Sequence, residues 1–272
     1  MASQYDAIGA KYAVFKTLPT SIVERENVRQ AIAPYLSKSP HPRVLDLACG
    51  TGYYSKSVIE WGADYVLGVD ISSGMVDAAK ESISQSDKYA GKIKVKVGNA
   101  LDLGKLDGEE PFDIVIGAWL LNYASNLDEM TNMFQSISAN LKKGGVFIGL
   151  TPPQAEDIDA IVKRQMETLV DVPETFPIQV KYLERLESGL GWKTEVSNAS
   201  GGEKVTFRNF HLNKDVYEQG ARKGGLGGKL SWPEVIIPEE ARATLTEDVW
   251  EMYDRVGGHM SVLVVEMEHG LD

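Results

Sequence analysis

The sequence predicts an α/β fold: a doubly wound, mostly parallel sheet of seven strands, with a helical N-terminal lid and an insertion after the fifth strand. Three observations carry this expectation. Short apolar runs alternate with helical stretches from residue 43 to 150, the order that gives parallel βαβ units with right-handed crossovers. The alternation stops after Pro152-Pro153, and strand-like runs return near the end of the chain. The 272 residues are 43% hydrophobic and 25% charged, enough apolar material for a large core that needs no disulfide or metal to hold it.

Taken in order, residues 1–40 read as helical, because Val14, Leu18, Ile22, Val28, Ile32 and Leu36 recur at helix-compatible intervals, interrupted by Pro19 and Pro34. The two prolines of SKSPHP at 37–42 end that pattern. Arg43-Val44-Leu45-Asp46-Leu47 suits a strand buried on both faces. It runs into the loop Ala48-Cys49-Gly50-Thr51-Gly52 and a helix over about 54–61, closed by Gly62. A second strand covers 65–70, and Ser72 is placed to cap the helix that follows. Residues 93–97 and 112–117 are the third and fourth strands. A helix over 127–141 and the turn Lys143-Gly144-Gly145 lead to the fifth strand at 146–150.

Beyond it, 155–172 is expected to be helical, and 173–202 contains turn residues without a clear period. Residues 204–212 alternate like a strand, with Val205, Phe207, Asn209 and His211 on one face and Thr206, Arg208, Phe210 and Leu212 on the other. A helix over 215–222 and a glycine-rich turn precede strands at 229–237 and 260–267. Pro238 with Glu239-Glu240 reads as a helix start that favours negative charge. The expected division is a lid at 1–42, a ligand-binding domain at 43–151 and 213–272, and a substrate-covering insertion at 152–212.

Composition narrows the function classes. With 28 basic and 39 acidic residues the formal net charge is −11, which repels phosphate backbones and anionic lipid and so argues against nucleic-acid and membrane partners. The single cysteine, Cys49, fits a reducing compartment and reads as a small buried residue. No basic leader and no apolar run of about 18 residues occurs, so a cytoplasmic location is expected. No His/Cys/Asp/Glu cluster has zinc spacing, so no metal is expected, and no Gly-x-Ser-x-Gly elbow supports a hydrolase.

The chemistry concentrates at Asp46-Leu-Ala-Cys-Gly50-Thr-Gly52, between the first strand and its helix. Glycines let backbone approach a ligand, and a helix start offers free N–H donors. The third glycine of GxGxxG and the GK[ST] of a phosphate loop are absent. Asp46 stands before the loop, where it would repel a pyrophosphate and hold an ammonium group. Asp70 ends the second strand eighteen residues beyond Gly52, a spacing that suits a carboxylate accepting both ribose hydroxyls. The two acids bracket a ligand with a cationic end and a nucleoside end, and S-adenosylmethionine has both.

With these residues in place, the sequence resembles the class I S-adenosylmethionine-dependent methyltransferases. VLDLACGTG at 44–52, VLGVDIS at 66–72, VGNALDL at 97–103, FDIVIGAWLLNYA at 112–124 and LKKGGVFI at 141–148 follow the order of the family's motifs. The resemblance covers about residues 43–150, and the opening QYDAIGAKY is similar to the N-terminal helix of small-molecule members, including toxoflavin-synthase-like natural-product enzymes. It implies a Rossmann-like fold, S-adenosylmethionine as cofactor and S-adenosylhomocysteine as product. By the same resemblance Asp46 faces the methionyl amine, Ala48 and Gly50 offer backbone, Asp70 takes the ribose, and Ile71 and Met75 pack on the adenine. Asn99 and Ala100 meet the adenine's polar edge, and Asn99 stands where the family often has Asp. Ala118 and Trp119 pass near the sulfonium, whose charge a tryptophan face stabilises by roughly 1–2 kcal/mol when desolvated. Tyr5 and Tyr12, two helical turns apart, are expected to close over the cofactor.

Methyl transfer needs a general base only if the acceptor must lose a proton. His211 is the first candidate, sharing a strand face with Phe207 and Asn209, and Tyr123 is the second, as an acceptor contact. His259 is weaker, and His41 and His269 are given no role. The expected partner is a small-molecule acceptor, methylated at oxygen, nitrogen or carbon. A fold that binds the cofactor without transferring methyl, as a cyclase, isomerase or binding protein, is the alternative. Methylation of a protein or peptide would require an open groove.

Overall fold

The structure, a computed structural model, describes residues 3–168, 178–198 and 203–268. Strands β1 (Arg43–Leu47), β2 (Tyr65–Asp70), β3 (Ile93–Val97), β4 (Phe112–Ala118) and β5 (Leu141–Thr151) pair in parallel. The next three, β6 (Ile178–Arg185), β7 (Gly191–Asn198) and β8 (Thr206–Leu212), form a separate antiparallel sheet. Strands β9 (Leu230–Ser231) and β10 (Ser261–Glu266) complete a seven-stranded main sheet of order β3-β2-β1-β4-β5-β10-β9, with β10 antiparallel to both neighbours.

Helices α1 (Gln4–Ile8) and α2 (Pro19–Leu36), joined by a 3-10 helix at Gly9–Thr17, precede the sheet. Helices α3 (Tyr53–Glu60), α4 (Ser73–Ser84) and α5 (Leu127–Asn140) are the crossovers. They are followed by α6 (Ile158–Thr168), α7 (Lys214–Lys223), α8 (Glu239–Arg242) and α9 (Glu247–Arg255). Neighbouring residues of one strand enter different cores. Val44, Val66, Ile114 and Ile148 pack with residues of α2, α3 and α9, whereas Leu45, Leu67, Val115 and Phe147 pack with residues of α5 and α7. A sheet covered on both faces needs apolar side chains at every position, which is why these strands read as continuous apolar runs.

Several expectations are corrected. Pro19 starts α2 as its first residue, where no N–H is needed, and Pro34 sits inside the last turn without ending it. Strand structure at 229–237 shrinks to Leu230–Ser231. The Ile236 backbone bonds instead to Asn27, donating its N–H to Oδ1 at 3.0 Å and accepting Nδ2–H at 2.7 Å. Pro233 and Pro238 flank this stretch and have no N–H to give a ladder. The stretch at 173–202, read without a period, holds β6 and β7, and α9 was not anticipated. The expected helix at 155–172 is seen over Ile158–Thr168, and its end lies outside the described residues, as does His269.

Candidate active site

Strand β1 lies between β2 and β4, so the carboxyl ends of these three strands adjoin where the strand order reverses, the position at which open α/β sheets take ligands. Ala48 after β1 (φ +59°) and Trp119 after β4 (φ +64°) are the described non-glycine residues with positive φ. Strained backbone at two adjacent strand ends marks a site that the surrounding fold must hold in shape. Gly52, at φ +81°, begins α3 from a left-handed conformation that a side chain would resist. A Cβ on Gly68 would lie 2.9 Å from the Cys49 thiol, so the buried cysteine packs where β2 carries no side chain.

Asp46 is buried, and its Oδ2 accepts the Ser55 hydroxyl at 2.6 Å. Burial pushes its pKa up to about 7 against that bond. Asp70 accepts the Gly50 N–H at Oδ2 and the Ser72 N–H at Oδ1, both at 2.9 Å. It therefore shapes both ligand-side loops, and each oxygen keeps a second lone pair. Burial raises its pKa too, and among the described residues no ion pair neutralises either acid. Two buried carboxylates with no ion-paired side chain among the described residues can take a positively charged ligand that also donates hydrogen bonds.

The other expected cofactor contacts fall around this crevice. Ala48 and Gly50 are half-buried in the loop, and Ile71 is 49% exposed beside Asp70, an apolar shelf open to a ligand. Met75 is buried in the first turn of α4. Asn99 Oδ1 accepts the Leu101 N–H at 3.1 Å, and Ala100 and Ala118 are buried. Helix α1 crosses over the crevice: the Ser72 hydroxyl, which caps α4, donates to Asp6 at 2.7 Å. The hydroxyls of Tyr5 and Tyr123 are hydrogen-bonded, and the Tyr5, Tyr12 and Phe207 rings form a cluster with centroids 5.6–5.8 Å apart.

A cavity opens beside Trp119, between the lid, the β6–β8 sheet and the end of β4. Tyr12, Phe15, Val180, Val196 and Phe207 give it apolar walls. His211 is on its wall and 1% exposed; Nε2–H donates to the Pro153 carbonyl at 2.6 Å, which leaves Nδ1 to accept the Tyr182 hydroxyl at 2.9 Å. Burial lowers its pKa to about 4 despite the Pro153 bond, and burial raises that of Tyr182. Tyr123 turns to the lid instead, against Tyr5.

Sequence reasoning missed Lys16 and Glu24, a pair 2.6 Å apart on the cavity wall in which Glu24 is buried and Lys16 half-buried. Burial favours a protonated Glu24, but Lys16 and then His259 overcome it and hold the carboxyl at about 2. The signal was present: Glu24 lies in phase with Val28, Ile32 and Leu36, on the buried stripe of α2. His259 bonds Tyr253 at 2.6 Å, and its Nε2 stands 3.4 Å from Glu24. Tyr182 and Thr194 were also missed, along with the strands that carry them, and Asn122 went unnoticed inside a motif already recognised. Among the described residues no group of three or more His, Cys, Asp or Glu could hold a metal ion, and no helix is long and apolar enough to cross a membrane.

Residues 44–145 match a family described as methyltransferase domain. Demethylmenaquinone methyltransferase of Symbiobacterium thermophilum is 34% identical over 113 residues, which is 41% of this chain and 43% of that protein. The match thus spans less than half the length of that relative. Among solved structures, the CcbJ methyltransferase of Streptomyces caelestis superposes with a TM-score of 0.53 at 17% identity, covering 88% of this chain and 89% of its own. S-adenosylmethionine-bound CalS10 from Micromonospora echinaspora, an amino pentose methyltransferase of calicheamicin biosynthesis, gives 0.52 at 15% identity, covering 89% of each chain. At these identities the likeness is one of fold.

Proposed function

We propose that this chain, whose residues 44–145 match the methyltransferase domain, is an S-adenosylmethionine-dependent methyltransferase acting on a small-molecule metabolite. The observation that carries the reading is the line of sites across three adjacent strand ends: Asp70 on β2, the Asp46–Gly50 turn on β1, and Trp119 with the cavity on β4. Strand spacing of about 4.8 Å sets Asp70 and Trp119 roughly 10 Å apart across the sheet, so a ligand held at Asp70 and reaching the cavity must pass over the β1 turn. When bound there, S-adenosylmethionine supplies an electrophilic methyl group on a sulfonium and leaves as S-adenosylhomocysteine.

The chain's own residues would bind and orient. Asp70 would accept ribose hydroxyls through its free lone pairs, Ile71 would lie under the adenine, and Asp46 would counter the cationic amino-acid end. Tyr5, on α1 and held by the Asp6–Ser72 bond, and Tyr12, on the 3-10 helix that follows, would exclude water from above. Fixing the acceptor in line with the methyl group is worth on the order of 7–11 kcal/mol, so placement is the main catalytic contribution.

His211 has a restricted part in this scheme. The Tyr182 oxygen, while donating its proton to Nδ1, keeps lone pairs for an acceptor O–H. A proton released after methylation of a neutral oxygen would pass to Tyr182 as that residue gives its own to Nδ1. A base of pKa about 4 suffices there, because the protonated ether that methylation of a neutral hydroxyl first gives is far more acidic than an imidazolium. A small acceptor fits the walled cavity better than a peptide would. The proposed setting is natural-product biosynthesis, the setting named for CalS10.

The test is incubation with methyl-labelled S-adenosylmethionine and a metabolite extract, alongside calorimetric titration of S-adenosylhomocysteine. Label is expected in the small-molecule fraction, and Asp70→Ala should weaken S-adenosylhomocysteine by at least about tenfold, as loss of a charged acceptor requires. An unchanged affinity in that variant rejects the site. Tight binding with no label moved supports the cofactor-holding alternative instead.

A further inference from the structure

The 3-10 turn Leu121–Tyr123 follows directly from the left-handed Trp119 and packs against β8. Its middle residue, Asn122, is 1% exposed and lines the cavity. Neither amide atom, Oδ1 or Nδ2, makes a hydrogen bond of normal geometry, although the amide lies close enough to the Tyr123 hydroxyl to lower its pKa. A buried amide left unsatisfied at both atoms costs stability that an apolar side chain of the same shape would not. Gln165 Oε1 and His259 Nε2 on the same cavity also lack a hydrogen-bond partner, but each of those side chains is bonded through its other polar atom, Gln165 Nε2 to the Val256 carbonyl and His259 Nδ1 to Tyr253. Thr194 bonds Asn209, Tyr182 bonds His211, and Lys16 bonds Glu24.

We propose that Asn122 determines acceptor specificity, pairing its carbonyl and NH2 with a donor and an acceptor on neighbouring atoms of one neutral molecule. A carboxamide side chain presents the two groups side by side, which is the complement of a lactam or amide edge. Neutrality follows from the walls: Lys16 and Glu24 cancel each other at 2.6 Å, and His211 is uncharged near neutral pH. An ionic acceptor would enter without a counter-charge and lose its hydration. The apolar faces of Phe15, Val196 and Phe207 would cover the rest of the molecule. The assignment rests on the methyltransferase reading only for the identity of the cavity as the acceptor site.

The experiment uses the full chain saturated with S-adenosylhomocysteine and two probes, 2-quinolinone and 1-methyl-2-quinolinone, which differ in the N–H donor. Ligand-observed NMR titration should show the first binding about tenfold tighter, the effect of one unpaired buried group. Asn122→Leu should abolish that preference, keep S-adenosylhomocysteine affinity, and raise the melting temperature of the free protein. Equal binding of the probes, no binding of either, a preference retained in Asn122→Leu, or a lowered melting temperature would each overturn the proposal. Failure of S-adenosylhomocysteine to bind the wild type would instead overturn the methyltransferase reading.

Discussion

Asp46 shows how a buried acid opposes stability at the pH where it ionises. Its folded pKa of about 7 lies above the 3.8 of a free carboxyl, so the folded chain holds the proton more tightly than the unfolded chain. The favourable contribution is complete below about pH 4 and is lost as pH rises to about 7, amounting to as much as about 4 kcal/mol. Asn, which cannot ionise, imitates the protonated acid. Asp46→Asn should therefore gain on the wild type from pH 4 to pH 7 in urea unfolding, with the gap constant above, and should bind S-adenosylhomocysteine more weakly. A gap that does not vary with pH would show that Asp46 titrates normally. The position of this acid was legible, since a carboxylate ahead of a GxG loop stands out in sequence. Its Ser55 partner and its elevated pKa arise from the packing of α3 over β1, which no local pattern reports.

At the scale of elements, polar contacts along its length fasten the N-terminal segment, beyond the Tyr5–Tyr123 bond. Gln4 bonds the Arg208 backbone on β8 in both directions, at 2.8 and 3.0 Å, as a neighbouring strand would. Asp6 accepts the capping hydroxyl of α4, and Lys16 meets Glu24 of α2. Glu24 of the last pair is buried, and removing Lys16 leaves its carboxylate to the more distant His259. Lys16→Met should cost about 3 kcal/mol in chemical denaturation, and Lys16→Met with Glu24→Gln should recover most of it. Additive losses in the double variant would show that the two charges are not coupled. The period of α2 was readable because one face is apolar over four turns. Strands β6 and β7 were not, although Ile178, Val180 and Tyr182 alternate with polar residues. A sheet of three strands with one face partly exposed carries fewer apolar positions, and the turn residues around Gly189 and Gly191 obscured the rest.

Across the whole molecule the lid, the strand-end crevice and the roof sheet meet at the same rings, Tyr5, Tyr12 and Phe207. A ligand in the crevice would then order all three. S-adenosylhomocysteine at about 100 times its dissociation constant should stabilise the fold by about 3 kcal/mol. Amide exchange should slow in residues 4–17 and in 48–52, with little change in β9 and α8. Protection confined to the β1 turn would separate the lid from cofactor binding.

The α/β class, the five parallel strands and the two acids at their ends followed from the chain alone. Strand and helix periods and a glycine turn are local properties, set by neighbours a few residues apart. The cavity beside Trp119 is not local. Lys16, Asn122, Tyr182 and His259 come from the lid, the β4 turn, the roof sheet and the approach to β10, and only folding brings them onto one wall. Burial on the same cavity leaves His211 a weak base and makes the unpartnered Asn122 amide costly, because desolvation depends on everything packed around a group and not on its place in the sequence.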